Sequence, residues 1–339
     1  MGKSKIVVAV FVFLLALVTV KLLTSQFTNP EKELDNQASQ LQENLQEVVV
    51  NDSGKKLMVL KDVGEPFMDF FGLSDNDFRL ISSAGFNLIE STFDICATDE
   101  DVAYFLNKAN EYGLQIIMTA GAGEAEWGYS CDEVALADQK PVWQKEAVKN
   151  WVNKWKGNKA IYAWDISNEA GSVFPNADNR YYLTADQLKE AYQTVKEADP
   201  TRPVIIRMNG WFFYDYESNF FRAGNPFTTD VADIVMINAY SNVEDYFDDF
   251  VFTVTQRAIN SIGEIDSDIK LIISLGVWEE KPLWFRPTAA QIKNDYNSLK
   301  NFDILGVAYF KYGAKNSEWY LPDYKTIWDE LQKLNLETN

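Results

Sequence analysis

The chain has 339 residues, enough for one large domain with an extension, and 47% hydrophobic and 14% aromatic content supplies a sizeable core. A formal net charge of -19 argues against nucleic acid and anionic lipid headgroups as partners and leaves a neutral ligand such as sugar unpenalised. Histidine is absent, which removes His-based triads, His general bases and most zinc sites, so acid–base chemistry near neutral pH falls to carboxylates, Lys, Tyr or Cys.

Residues 6–23 form an apolar run broken only by Thr19 and Lys21, with Lys3 and Lys5 ahead of it. A positive flank followed by such a run predicts a hydrophobic helix over 1–24, either an uncleaved signal-anchor or a cleaved signal peptide. No small-residue cleavage site follows, which favours the anchor. The positive flank stays cytoplasmic, so the rest is expected outside the cytoplasm, membrane-anchored through this helix only, or secreted. Residues 25–54 are rich in Gln, Asn and Glu and predict a polar stalk; Leu34, Leu41, Leu45 and Val48 recur at helical spacing, too briefly for a coiled coil.

From residue 55 to 337, short apolar runs alternate with amphipathic segments. Eight strands are expected, at 57–63, 87–91, 115–120, 160–166, 203–208, 234–239, 270–275 and 304–310. They are rich in Val, Ile and Leu with little alternation, as in parallel strands buried on both faces. Helices are expected at 99–112, 142–155, 185–198, 243–262, 289–299 and 324–334, with Thr184 and Thr288 as caps. Eight such units over this length fit an α/β architecture closed as a (β/α)8 TIM barrel. The fifth unit is the weakest: between Asn209 and Asp233 no helix is evident, only a dense aromatic stretch.

In such a barrel the functional groups stand just after the strands. These positions offer Asp62 and Glu65; Glu90 and Asp94; Glu124, Glu126 and Trp127; Asn168 and Glu169; Arg207 and Asn209; Tyr240; Glu279 and Glu280; and Tyr312. Trp127, Trp211, Trp278, Trp284, Tyr312 and Trp319 all fall in rim loops, where rings stack on sugar faces and desolvate a neighbouring carboxyl. Asn168-Glu169 also suits a helix start, with Asn as cap and Glu complementing the dipole.

The fourth-strand sequence "IYAWDISNEA" resembles that of the glycoside hydrolase clan of (β/α)8 barrels that includes cellulases, mannanases and β-galactosidases. The likeness covers the strand pattern of the barrel, but only this motif is sharp. It implies that Glu169 is the catalytic acid/base, that Asn168 hydrogen-bonds the hydroxyl beside the reacting carbon, and that the substrate is an oligo- or polysaccharide. A Tyr after strand six often contacts the nucleophile in that clan; Tyr240 is either that group or an ordinary rim aromatic.

Three departures qualify the likeness. The clan's nucleophile ends strand seven, where "IISLGVW" puts Ser274. Glu279 and Glu280 follow in the loop, either folding back as the second carboxylate or standing as solvated charges. The clan often carries Arg after strand two, where Glu90 stands here, with Arg207 or Lys61 as its only evident partners. Glu90 is then a sugar-hydroxyl acceptor, half of an ion pair, or an unconventional second carboxylate. The clan's His after strand three is missing. A hydrolase with a displaced nucleophile, an unusual hydrolase, and a barrel that binds glycan without turnover all remain open.

Cys96 and Cys131 follow strands two and three and read as one disulfide on the same rim, or as two unpaired residues. No Walker loop, nucleophile elbow or EF-hand loop occurs. Asp245, Asp248 and Asp249 read as the solvated face of a helix, and neither metal nor cofactor is expected.

Overall fold

A computed structural model describes residues 56–63, 73–91, 93–121, 142–170, 183–214, 227–243, 248–315 and 318–338. The expected hydrophobic helix and polar stalk over 1–54 lie outside these residues. Among the described residues no helix is long and apolar enough to cross a membrane.

Eight strands, β1 Leu57–Val63, β2 Leu88–Ser91, β3 Gln115–Thr119, β4 Ile161–Ser167, β5 Val204–Asn209, β6 Ile234–Ala239, β7 Lys270–Gly276 and β8 Gly306–Phe310, pair in parallel in sequence order. β8 returns to β1, so the sheet closes. A helix follows each strand: α1 Asp75–Ser83, α2 Asp99–Glu111, α3 Lys145–Trp155, α4 Ala185–Ala198, α5 Trp211–Tyr214, α6 Phe250–Ile265, α7 Ala289–Ser298 and α8 Lys325–Thr338. This is a (β/α)8 barrel.

The strands are β-branched and buried on both sides because alternate side chains serve two cores. Leu57, Val59, Leu88, Ile205, Met236 and Ile272 point inward and fill the barrel. Their neighbours Met58, Leu60, Ile89, Ile206, Ile237 and Ile273 point outward into the larger core beneath the helices. Removing one methyl-rich side chain from either layer costs about 2–5 kcal/mol.

Local chemistry explains the helix boundaries. The hydroxyls of Thr98, Thr184 and Thr288 accept the N–H groups of Asp101, Gln187 and Gln291, capping α2, α4 and α7. α6 begins at Phe250, later than residue 243, because Asp248 and Asp249 form a turn ahead of it. β8 begins at Gly306, where an added Cβ would stand 2.5 Å from the Leu57 carbonyl oxygen; only Gly lets these two strands close the barrel here.

α1 has a distinctive anchor. Asp77 accepts from the Ser74 backbone N–H and hydroxyl, capping the helix, and also from the Tyr312 and Tyr320 hydroxyls at 2.6 and 2.5 Å. The first helix and the loop after β8 are thereby clasped. Tyr312 is fully buried in this clasp, with its ring against Tyr320 and Trp328. Its expected sugar-stacking role is corrected: no face of the ring is open. Tyr312→Phe should lower stability by about 1–2 kcal/mol, read from the urea midpoint, and leave any glycan binding unchanged.

Candidate active site

The barrel interior turns polar toward the C-terminal ends of the strands. The inward parity that places Leu57 and Val59 in the core brings up Lys61 next on β1. The same alternation delivers Glu90 on β2, Asp165 on β4, Arg207 and Asn209 on β5, Asn238 on β6 and Ser274 on β7. Glu90, Asp165, Asn238 and Ser274 are all buried.

The "Trp-Asp" of the fourth-strand motif divides between the two faces. Trp164 points outward, and its Nε1–H donates to Asp199 at 3.0 Å, tying β4 to the turn before β5. Asp165 points inward, where Arg207 Nε stands 2.7 Å from its Oδ2, an ion pair outside hydrogen-bond angles. The same guanidinium reaches Glu90 through Nη1 at 2.8 Å. Lys61 Nζ approaches the other Glu90 oxygen at 3.9 Å. Two cations and two carboxylates therefore form one buried layer under the rim. Burial pushes the Asp165 carboxyl up, with Arg207 opposing and Glu90 reinforcing the shift.

Glu169 stands at the end of β4, above this layer. Its backbone is left-handed, with φ 46°, a conformation that a residue with a Cβ adopts at a cost of about 1–3 kcal/mol and that clusters at functional sites. Its two carboxyl oxygens accept from two amides: Asn238 Nδ2 to Oε1 at 2.9 Å and Asn209 Nδ2 to Oε2 at 3.2 Å. Those asparagines are register partners on adjacent strands. Gly210 permits this approach, because its N–H donates to the Asn238 carbonyl at 2.9 Å where an added Cβ would collide with the same oxygen. Asn209 is oriented in turn by the Trp211 N–H, which donates to its Oδ1 at 3.0 Å. The side chain of Glu169 remains half-buried, with Asn168 half-buried beside it.

No family model and no curated protein matches the sequence. Solved structures do match it. The hyperthermostable endo-1,4-β-D-mannanase from Thermotoga petrophila RKU-1 aligns with TM-score 0.59 and 14% identity over 83% of this chain and 99% of that one. The β-1,4-D-mannanase from Cryptopygus antarcticus gives TM-score 0.54 and 13% identity, over 84% of this chain and 91% of that one. A β-galacturonidase from Eisenbergiella tayi gives TM-score 0.54 and 12% identity over 84% of this chain, which spans only 52% of that enzyme. The fold is that of the (β/α)8 glycoside hydrolases. At these identities the likeness shows the fold alone.

Within this barrel, the remaining expected site residues separate clearly. Arg207 and Glu90 lie together in the buried layer as an ion pair. Tyr240 is buried above it: its Oη accepts from Lys61 Nζ at 3.2 Å, and its ring stacks on Phe310 at 5.3 Å. Burial, followed by the nearby charges of Glu169 and Glu90, drives the Tyr240 hydroxyl well above its ordinary range, so it stays protonated.

Trp278 is buried among Tyr240, Trp284 and Phe310, with ring centroids 4.7–4.9 Å from all three. Its expected role as a sugar platform is corrected: its faces are taken by neighbouring rings. Trp284 and Phe310 are the half-buried members of the cluster and keep partial access. Trp211 is half-buried too, packed against Phe250 at 4.5 Å.

Glu279 and Glu280 are held within their own loop. Glu279 Oε2 lies 3.5 Å from Lys281 Nζ and 3.8 Å from Arg286 Nε. Glu280 accepts from Trp278 Nε1 at 3.4 Å, and its backbone pairs both ways with Trp284 at 2.9 Å. Among the described residues, the contacts of Glu279 and Glu280 are with Trp278, Lys281, Trp284 and Arg286, and those of Glu169 are with Asn209 and Asn238. Ser274, two residues before the end of β7, is fully buried. Trp127, Glu65, Glu124, Glu126 and Cys131 lie outside the described residues, and so does the expected bridge from Cys131 to Cys96. Among the described residues no group of His, Cys, Asp and Glu could hold a metal ion.

The sequence reading offered Lys61 only as a partner of Glu90, and missed Asn238 as the residue that links Lys61 to Glu169. Strand parity was the available signal for both. Each is the next inward residue after apolar ones, Val59 on β1 and Met236 on β6.

Proposed function

We propose that the chain is a glycoside hydrolase acting on a β-linked oligo- or polysaccharide, with Glu169 as proton donor and Asn168 gripping the hydroxyl beside the reacting carbon. The observation that carries this reading is the carboxyl of Glu169, held at the end of β4 by two amide donors on a strained backbone. A glycosidic oxygen is a poor leaving group and departs with a proton supplied by a positioned acid. The neighbouring folds named above include two mannanases, which fits a β-linked substrate. The half-buried rings of Trp284, Phe310 and Trp211 are the described candidates for sugar stacking.

A second reading, glycan binding without turnover, is favoured by Ser274. A buried serine stands two residues before the end of β7, and both interior carboxylates, Glu90 and Asp165, are engaged by Arg207. The two readings part when the full chain is incubated with a panel of β-linked oligosaccharides and both bound sugar and new reducing ends are measured. The hydrolase reading expects products. Binding without products supports the second reading, and neither binding nor products contradicts both.

We place the barrel outside the cytoplasm on the strength of the apolar run at 6–23 and the lysines before it. Membrane fractionation and protease accessibility of the full chain test this placement.

A further inference from the structure

Lys61, a member of the buried charged layer with no part in the proposed chemistry, is among the most buried side chains of the barrel, 1% exposed. Its ammonium donates to Asn238 Oδ1 at 2.8 Å and to Tyr240 Oη at 3.2 Å. The rings of Phe310 and Tyr240 stand 5.3 and 5.8 Å away. A buried cation is expensive unless paired, and the nearest carboxylate oxygen, on Glu90, is 3.9 Å off and its residue is shared with Arg207. The contacts of Lys61 therefore suggest a use beyond packing.

An asparagine amide has one oxygen that only accepts and one nitrogen that only donates. Asn238 lies between Lys61 and Glu169, with its oxygen on the ammonium and its nitrogen on the carboxyl. A charged lysine has no lone pair to offer. Turning the amide over would set NH2 against NH3+ and carbonyl oxygen against a carboxyl oxygen, two repulsive contacts in a buried place. Asn209 is fixed in the same sense by the Trp211 backbone N–H. The two arms that hold Glu169 thus have different locks: one is a peptide N–H, which does not titrate, and the other is an ammonium, which does.

We propose that Lys61 is a positioning residue for Glu169, acting through Asn238 by locking its amide in the orientation that presents N–H to the carboxyl. The inference rests on Glu169 being the centre of the site, but not on its turnover. Burial lowers the ammonium of Lys61 to about 8, against the raising influence of Glu90 from β2; Arg207 from β5 lowers it further, and Asp165 and Glu169 from β4 raise it. Asn238 and Tyr240 on β6 and the Phe310 ring on β8 complete its surroundings. Loss of the proton gives Lys61 a lone pair, and the lock on Asn238 opens.

The test is nuclear magnetic resonance of the full chain in detergent micelles, labelled with 15N at asparagine. The side-chain NH2 resonances of Asn238 and Asn209 are followed from neutral to alkaline pH in wild type and in Lys61→Met. The proposal expects a step in the Asn238 resonances near pH 8 that Asn209 lacks, and its disappearance in Lys61→Met, with Asn238 displaced from its wild-type position. A step common to both asparagines reports a change shared by the whole site, not a lock specific to Asn238, and so counts against the proposal. Asn238 resonances flat in wild type overturn it, whether or not Lys61→Met folds. Because no substrate is present, absence of glycosidase activity leaves this result standing, and failure here leaves the hydrolase reading untouched.

Discussion

Glu169→Gln is expected to lower turnover of a β-linked glycan by about 10²–10⁴-fold, the usual contribution of a positioned general acid. The variant is nearly isosteric and should fold. Gln keeps a carbonyl oxygen for the Asn238 N–H, but its NH2 then meets the NH2 of Asn209, whose oxygen is held by the Trp211 N–H. One donor–donor conflict at a half-buried position should cost about 1 kcal/mol of stability. The measurement is kcat/KM beside a urea melt. A large fall in rate with a small fall in stability separates chemistry from scaffold. A loss of both together would mean that Glu169 serves the fold.

Arg207→Met carries the largest expected effect on stability. Arg207 joins Glu90 at 2.8 Å and Asp165 at 2.7 Å in a layer that is almost closed to solvent. Without it, Asp165 loses its paired cation, and Glu90 retains only the distant ammonium of Lys61. Removing one partner of a buried pair costs about 3–5 kcal/mol, because the other charge stays buried and uncompensated. The sign with pH follows from Asp165, whose folded pKa lies above the ordinary carboxylate value of 3.8, mainly through burial. A group raised in this way contributes stability that is full below its unfolded value and lost as pH rises through its folded value. The deficit of Arg207→Met should therefore be greatest at neutral pH and shrink on acidification, and adding Asp165→Asn should recover part of it. Urea midpoints at neutral and mildly acid pH decide the matter. A loss below about 1 kcal/mol, typical of exposed pairs, would contradict the buried layer.

How far the sequence spoke depended on the kind of signal. Strands buried on both faces leave continuous β-branched runs, so β1 and β6 were legible to the residue and the other strands within one or two residues at either end. Capped helices with a long apolar stripe, such as α4, were equally plain. α5 was not, because four residues carry no period. α1 has a nine-residue stripe resting on Phe78 and Ile81, too short to stand out. Glu169 was legible because its motif marks a strand end. The buried layer was harder to see, since a charged residue near a strand end looks the same whether it faces water or the barrel axis. Only parity, counted from Val59 to Lys61 and from Met236 to Asn238, reveals the inward direction. The rim aromatics misled for a related reason: sequence puts Trp278 and Tyr312 in the correct loops, but cannot tell a ring covered by other rings from one left open to a ligand.

The central claim is that Glu169 gives a proton to a departing sugar oxygen, and leaving-group dependence tests it most directly. Wild type and Glu169→Gln are compared on a native β-linked oligosaccharide and on an aryl glycoside whose phenol departs readily without protonation. The account predicts that the variant fails on the oligosaccharide while keeping most of its bond-cleaving rate on the activated glycoside. Equal losses on both substrates, or no loss on either, would contradict it.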